Sequence, residues 1–151
     1  MKPQILLTCM ALFLLVSCAK EKPPAPKAKT KTEMLTTHYW KMSAATIDPP
    51  LVVGGTPISD WYAQMDACEK DNIYKYNANG TTVADEGATK CDPADPQTEL
   101  ETWSFNSTET IITENGSDAK LLNLTDNELK MSLVENIDGI NYTLTVTFVK
   151  N

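Results

Sequence analysis

From Trp40 onward, apolar and polar residues alternate with a period of two and turn dipeptides recur at short intervals, which predicts a chain of antiparallel hairpins. The last hairpin is the clearest. A two-residue turn at Asp138-Gly139 pairs Leu133 with Leu144, Met131 with Val146 and Leu129 with Phe148, while Thr143, Thr145 and Thr147 fall on the other face. A turn at Asp126-Asn127 likewise opposes Leu124 to Leu129 and Leu122 to Met131. A turn at Asn106-Ser107 places Trp103, Phe105, Thr110 and Ile112 on one face, and a turn at Asn79-Gly80 sets Tyr76 facing Val83. At Asn115-Gly116 a strict two-residue turn sets Leu122 opposite Glu109, so a three-residue loop with a glycine bulge is expected, pairing Thr110 with Leu122.

This pattern predicts eight strands, at 38–47, 71–78, 81–86, 98–106, 108–113, 119–125, 128–136 and 140–149. Short turns join sequential neighbours into a meander, and eight strands with one apolar face lose their exposed edges by closing into an up-and-down barrel. A two-sheet β-sandwich satisfies the same alternation. One short amphipathic helix is expected between the first two strands, because Ile58, Trp61, Tyr62, Met65 and Cys68 recur at intervals of three and four after Thr56-Pro57. Its apolar stripe would cap one end of the barrel, with the loops 48–55 and 87–96 flanking that end or the opposite mouth.

The chain opens differently. Lys2 precedes an apolar run from Ile5 to Val16 that has the length of an export signal and is too short to span a bilayer. The run ends in Leu15-Val16-Ser17-Cys18, which resembles the lipobox of bacterial lipoproteins. Cleavage after residue 17 would leave Cys18 diacylated as the new N-terminus, a lipid anchor in a membrane. Residues 18–34 read as a tether, with three prolines and five lysines after Cys18 and almost nothing to bury. The barrel domain is then 35–151. Charge is segregated, with a net +3 on residues 19–34 and −11 on residues 35–151.

Four cysteines become two once Cys9 leaves with the signal and Cys18 is acylated. An exported chain meets an oxidising compartment, where an isolated pair is expected as a disulfide. A two-residue turn at Asn79-Gly80 sets Cys68 opposite Cys91 at the hairpin base, within bridging reach.

Composition narrows the chemistry. Lysine and arginine together number 13, all of them lysine, against 20 acidic residues, so nucleic-acid binding is not expected. His38 is the single histidine and has no second histidine or free cysteine to work with, which leaves no metal or nucleophilic constellation. Asp85, Glu86, Asp92 and Asp95 cluster in one loop, but without the spacing of a calcium loop. No metal, no cofactor and no enzymatic activity are expected. Tyr74, Tyr76, Trp103, Phe105, Tyr142 and Phe148 share the predicted interior, either as packed core or as the lining of an apolar pocket, with Trp61, Tyr62 and Met65 as its lid.

The segments Cys68-Glu69-Lys70-Asp71-Asn72, Tyr76-Asn77-Ala78-Asn79-Gly80-Thr81, Glu86-Gly87, Lys90-Cys91-Asp92 and Trp103-Ser104-Phe105 together resemble the lipocalin-like domain of Bacteroidetes lipoproteins. The resemblance implies an eight-stranded calycin-type barrel on an outer-membrane lipoprotein, facing the periplasm or the cell surface. It departs from true lipocalins at His38, where those carry glycine two residues before the tryptophan, and in offering Lys150 rather than arginine near the last strand. The function expected is a monomeric carrier that holds a small, mainly apolar molecule near the membrane. The other reading is a non-catalytic interaction or envelope-structural module with a filled barrel.

Overall fold

Leu133 pairs with Leu144, Met131 with Val146 and Leu129 with Phe148 across the last hairpin, in the register that a two-residue turn at Asp138-Gly139 dictates. The computed structural model describes residues 27–151; the export segment 1–17 and Cys18 lie outside the described residues. The elements in order are α1 (Lys31–Thr37), β1 (Trp40–Val53), β2 (Thr56–Asp60), α2 (Trp61–Gln64), α3 (Ala67–Lys70), β3 (Ile73–Tyr76), β4 (Thr81–Asp85), β5 (Thr98–Phe105), β6 (Ile111–Glu114), β7 (Ser117–Leu124), β8 (Glu128–Ile137) and β9 (Ile140–Lys150). Strands β3 to β9 follow one another around the sheet, and β1 pairs with both β3 and β9. That last pairing closes an eight-stranded antiparallel barrel, as expected, and excludes the two-sheet sandwich.

A ninth strand, β2, lies outside the ring. The expected loop at 48–55 is instead a continuation of β1, which turns at Gly54-Gly55 and pairs back through Leu51–Ile58 and Val53–Thr56. Pro49 and Pro50 carry no N–H, and the ladder shifts register between Thr46 and Leu51 to pass them. The single helix expected over 58–68 does not form. Ile58 belongs to β2, and two one-turn helices follow, separated by extended backbone at Met65 with φ −67° and ψ 148°. The sequence carries two helix starts. Asp60 accepts from the Ala63 N–H at 3.0 Å, and at Asp66 the backbone N–H donates to Glu69 at 2.7 Å, so each acid begins its own turn.

Three other registers differ from the sequence reading. The β3–β4 connection is a three-residue loop, Ala78-Asn79-Gly80, with Gly80 at φ +84°, so Tyr76 stands opposite Thr82 rather than Val83. β6 begins at Ile111, after a loop from Asn106 in which Asn106 Oδ1 accepts from the N–H groups of Thr110 and Ile111; Phe105 therefore opposes Ile112. At Asn115-Gly116 the strict two-residue turn does form, opposing Ile112 to Ala119. The conflict that it posed for Leu122 is relieved by a bulge between Leu121 and Asn123, which gives Met131 to Leu121 and leaves Leu122 exposed.

The lower end of the barrel is plugged by α1, which begins inside the segment expected as tether. Thr30 and Glu33 form a reciprocal capping box, and Leu35 is fully buried. The Trp40 indole N–H donates to the Leu35 carbonyl at 2.8 Å, and Lys75 reaches the Thr36 carbonyl at 2.6 Å. Above this plug Trp40, Trp103, Ile112, Leu129 and Phe148 fill the lower half of the interior.

Candidate binding cavity

Inward positions change character from bottom to top. Low in the barrel, Trp103 packs edge-on against Tyr76 at 5.8 Å and against Phe105 at 5.3 Å, and its indole N–H donates to the Asn77 carbonyl at 2.9 Å. Tyr74 packs edge-on against Phe148 at 5.5 Å. Tyr76 is buried core, whereas Trp103, also largely buried, and Phe105 share an open depression of about 470 Å³ at the lower rim with Thr32, Ala78 and Asn106.

Higher up the inner wall recedes. Met42, Ala119, Met131, Leu133, Val146 and Phe148 surround a cavity of about 130 Å³, with Glu114 and Ser117 at one side. It is bounded above by the Leu133–Leu144 pair, and on the far side of that pair a second cavity of about 220 Å³ is lined by Ile47, Leu51, Trp61, Glu135, Ile137, Tyr142 and Leu144. β8 and β9 supply both because alternate residues of their hairpin, from Met131 and Val146 up to Glu135 and Tyr142, share the inner face.

The sequence-derived candidates therefore divide. Phe148 lines the lower cavity, and Trp61 and Tyr142 line the upper one. Tyr62 is half-buried against the core with Lys70 over its ring at 5.3 Å, and Met65 ends α2, half-buried. Cys68 and Cys91 are bonded, with Cα atoms 5.2 Å apart. They do not face one another across a hairpin: the β3–β4 ladder stops at Ile73–Asp85, and the bridge ties α3 to the connection between β4 and β5. Asp71 fastens the same connection, accepting from the N–H groups of Ala88 and Thr89 and from the Thr89 hydroxyl. Two of the loop acids are spent on local turns, Asp85 accepting from Gly87 and Asp92 from Ala94.

The residue that the sequence reading missed is Glu114. It faces inward opposite Trp103, and its carboxylate accepts a hydrogen bond from the Tyr76 phenol. Burial holds the Glu114 carboxyl above the ordinary glutamate range; the Tyr76 hydrogen bond opposes that shift and nearby Glu101 adds to it. Burial likewise pushes Tyr76 well above the usual phenol range. The signal was present in the alternation of β6, where Ile112 inward requires Glu114 inward as well.

A family model described as a lipocalin-like domain matches residues 36–131. No curated protein matches the chain. Among solved structures, the complex of bovine odorant binding protein with a selenium-containing odorant aligns over 85% of this chain and 77% of that one, with a TM-score of 0.42 and 13% sequence identity.

Proposed function

We propose that this chain, which belongs to the lipocalin-like domain family, is a non-enzymatic carrier that takes a small, mainly apolar molecule into the upper half of its barrel. The observation that carries this reading is the pair of adjacent apolar cavities, of about 130 and 220 Å³, on the inner face of β8 and β9. Burial of a ligand against Met131, Leu133, Val146 and Phe148 supplies the driving force at roughly 25 cal/mol per Å² of apolar surface. Trp61 and Tyr142 hold the outer part of the site. The space suits a slim ligand, since pockets for drug-sized molecules run from about 300 Å³ upward.

The carrier works from a membrane. Leu15-Val16-Ser17-Cys18 supports diacylation of Cys18 and attachment to the bacterial outer membrane, on its periplasmic or its outer face. Each buried methylene of such an anchor contributes about 0.8 kcal/mol, and two chains make the attachment stable. The chain acts as a monomer.

The alternative, an interaction or envelope-structural module, draws support from the filled lower half and from the exposed Val52, Val53, Ile137 and Ile140 at hairpin tips of the upper rim. Native mass spectrometry of protein purified from its own membrane separates the two. The carrier reading expects a retained small molecule; a bare protein that also fails to bind apolar dyes favours the module.

A further inference from the structure

We propose that the ligand carries one cationic group, an alkylammonium or its like, and seats that charge against Glu114 with its apolar body along β8 and β9. The inference rests on the carrier reading and adds the charge class of the molecule carried.

The residues lining the lower cavity include carboxylates but no cationic side chain. Glu114 receives one hydrogen bond, from Tyr76, although a carboxylate has room for several. Glu101, half-buried, lies two residues before Trp103 on the same inner face of β5. Between Tyr76 and Glu101, in register with both, stands Thr82, whose hydroxyl oxygen is buried and has no hydrogen-bond partner. Unsatisfied buried polar atoms are rare, and this one, a hydroxyl able to donate or to accept, stands on the strand between Tyr76 and the inward Glu101.

No cationic side chain among the described residues lines the cavity. Among the described residues the ion pairs are Lys29 and His38 with Asp126, at the lower end of the barrel. The groups that face Glu114 are Tyr76 and Tyr74 on β3 and Glu101 on β5, with Asp118 of β7 at the cavity edge bonded to Thr113; β1, β8 and β9 present Met42, Met131, Leu133, Val146 and Phe148. An ammonium group brings a positive charge and three N–H donors to this arrangement. A fatty acid would bring a further carboxylate and be repelled.

The test compares 1-octylamine with 1-octanol, of the same length, by calorimetric titration of the mature domain. Wild type is expected to bind the amine about tenfold or more tightly than the alcohol, the size of a hydrogen bond to a charged group. Glu114→Gln is expected to abolish that preference, bringing the amine and alcohol affinities together. On wild type alone, the preference should shrink as pH falls and Glu114 is protonated, a readout that survives misfolding of the variant. Equal binding of amine and alcohol, or a preference that persists in Glu114→Gln or at low pH, overturns the charge class and leaves the carrier reading intact. Binding of neither overturns both.

Discussion

The phenol of Tyr76 on β3 donates its hydrogen bond to the Glu114 carboxylate on β6, spanning the barrel interior past the two strands that separate them in the sheet. The pair joins the packed aromatic half of the interior to the open half, and it has a consequence for stability. Burial raises the Glu114 carboxyl above its ordinary value of 4.5, so the folded state holds this proton more tightly than the unfolded chain does. The stabilisation is complete below the ordinary value and is lost as pH rises through the raised one. Urea midpoints measured from about pH 4 to about pH 8 should therefore show wild type losing stability relative to Glu114→Gln with increasing pH. A constant difference would place Glu114 in water.

Leu35 ties α1 to the barrel floor. It is fully buried and its carbonyl receives the Trp40 indole N–H. Leu35→Ala is expected to cost about 2–4 kcal/mol in equilibrium denaturation, through lost burial and the cavity left beneath Trp40. A cost under about 1 kcal/mol would mean that the barrel closes without its plug.

Gly87 and the disulfide hold the connection from β4 to β5. Gly87 sits at φ +70°, and a Cβ there would lie 2.3 Å from the Asp71 carbonyl oxygen. Gly87→Ala should cost about 1–3 kcal/mol, and removing the Cys68–Cys91 bridge about 3 kcal/mol by the chain-entropy argument. Limited proteolysis of the bridge-free protein is expected to cut first between residues 88 and 97, a stretch held by Asp71 and Gln97.

Cys18 is expected to carry the anchor. Cys18→Ala should move the protein from the membrane fraction to the soluble fraction and abolish incorporation of labelled palmitate. Unchanged membrane association would remove the anchor from the proposal.

How much of this was legible beforehand depends on the turn. Asp138-Gly139 forms the two-residue hairpin that its residues favour, and every pair from Leu133–Leu144 to Leu129–Phe148 followed from it. Asn79-Gly80 is a comparable turn dipeptide but closes a three-residue loop: Asp138 and Gly139 are both left-handed, whereas at Asn79-Gly80 the glycine alone is, and its carbonyl accepts from the Trp103 N–H at 2.9 Å. That choice depends on a neighbouring strand and cannot be read from the dipeptide. The bulge at Leu122 is of the same kind. α1 was hidden by composition, since a lysine-rich segment after prolines reads as linker until Thr30 and Glu33 are recognised as a capping box. The cavity was invisible for a different reason: alternation tells which side chains face inward, not whether they meet. Leu129 meets its neighbours and is fully buried, while Leu133, four residues on, borders open space.

The central claim, that the upper interior receives an apolar ligand while the lower half stays packed, is tested most directly by methyl NMR during titration with 1-octanol. Saturable shifts are expected at Met42, Met131, Leu133 and Val146, with Leu35 and Leu129 unmoved. Shifts confined to the outward Leu100 and Leu122, or none that saturate, would contradict it.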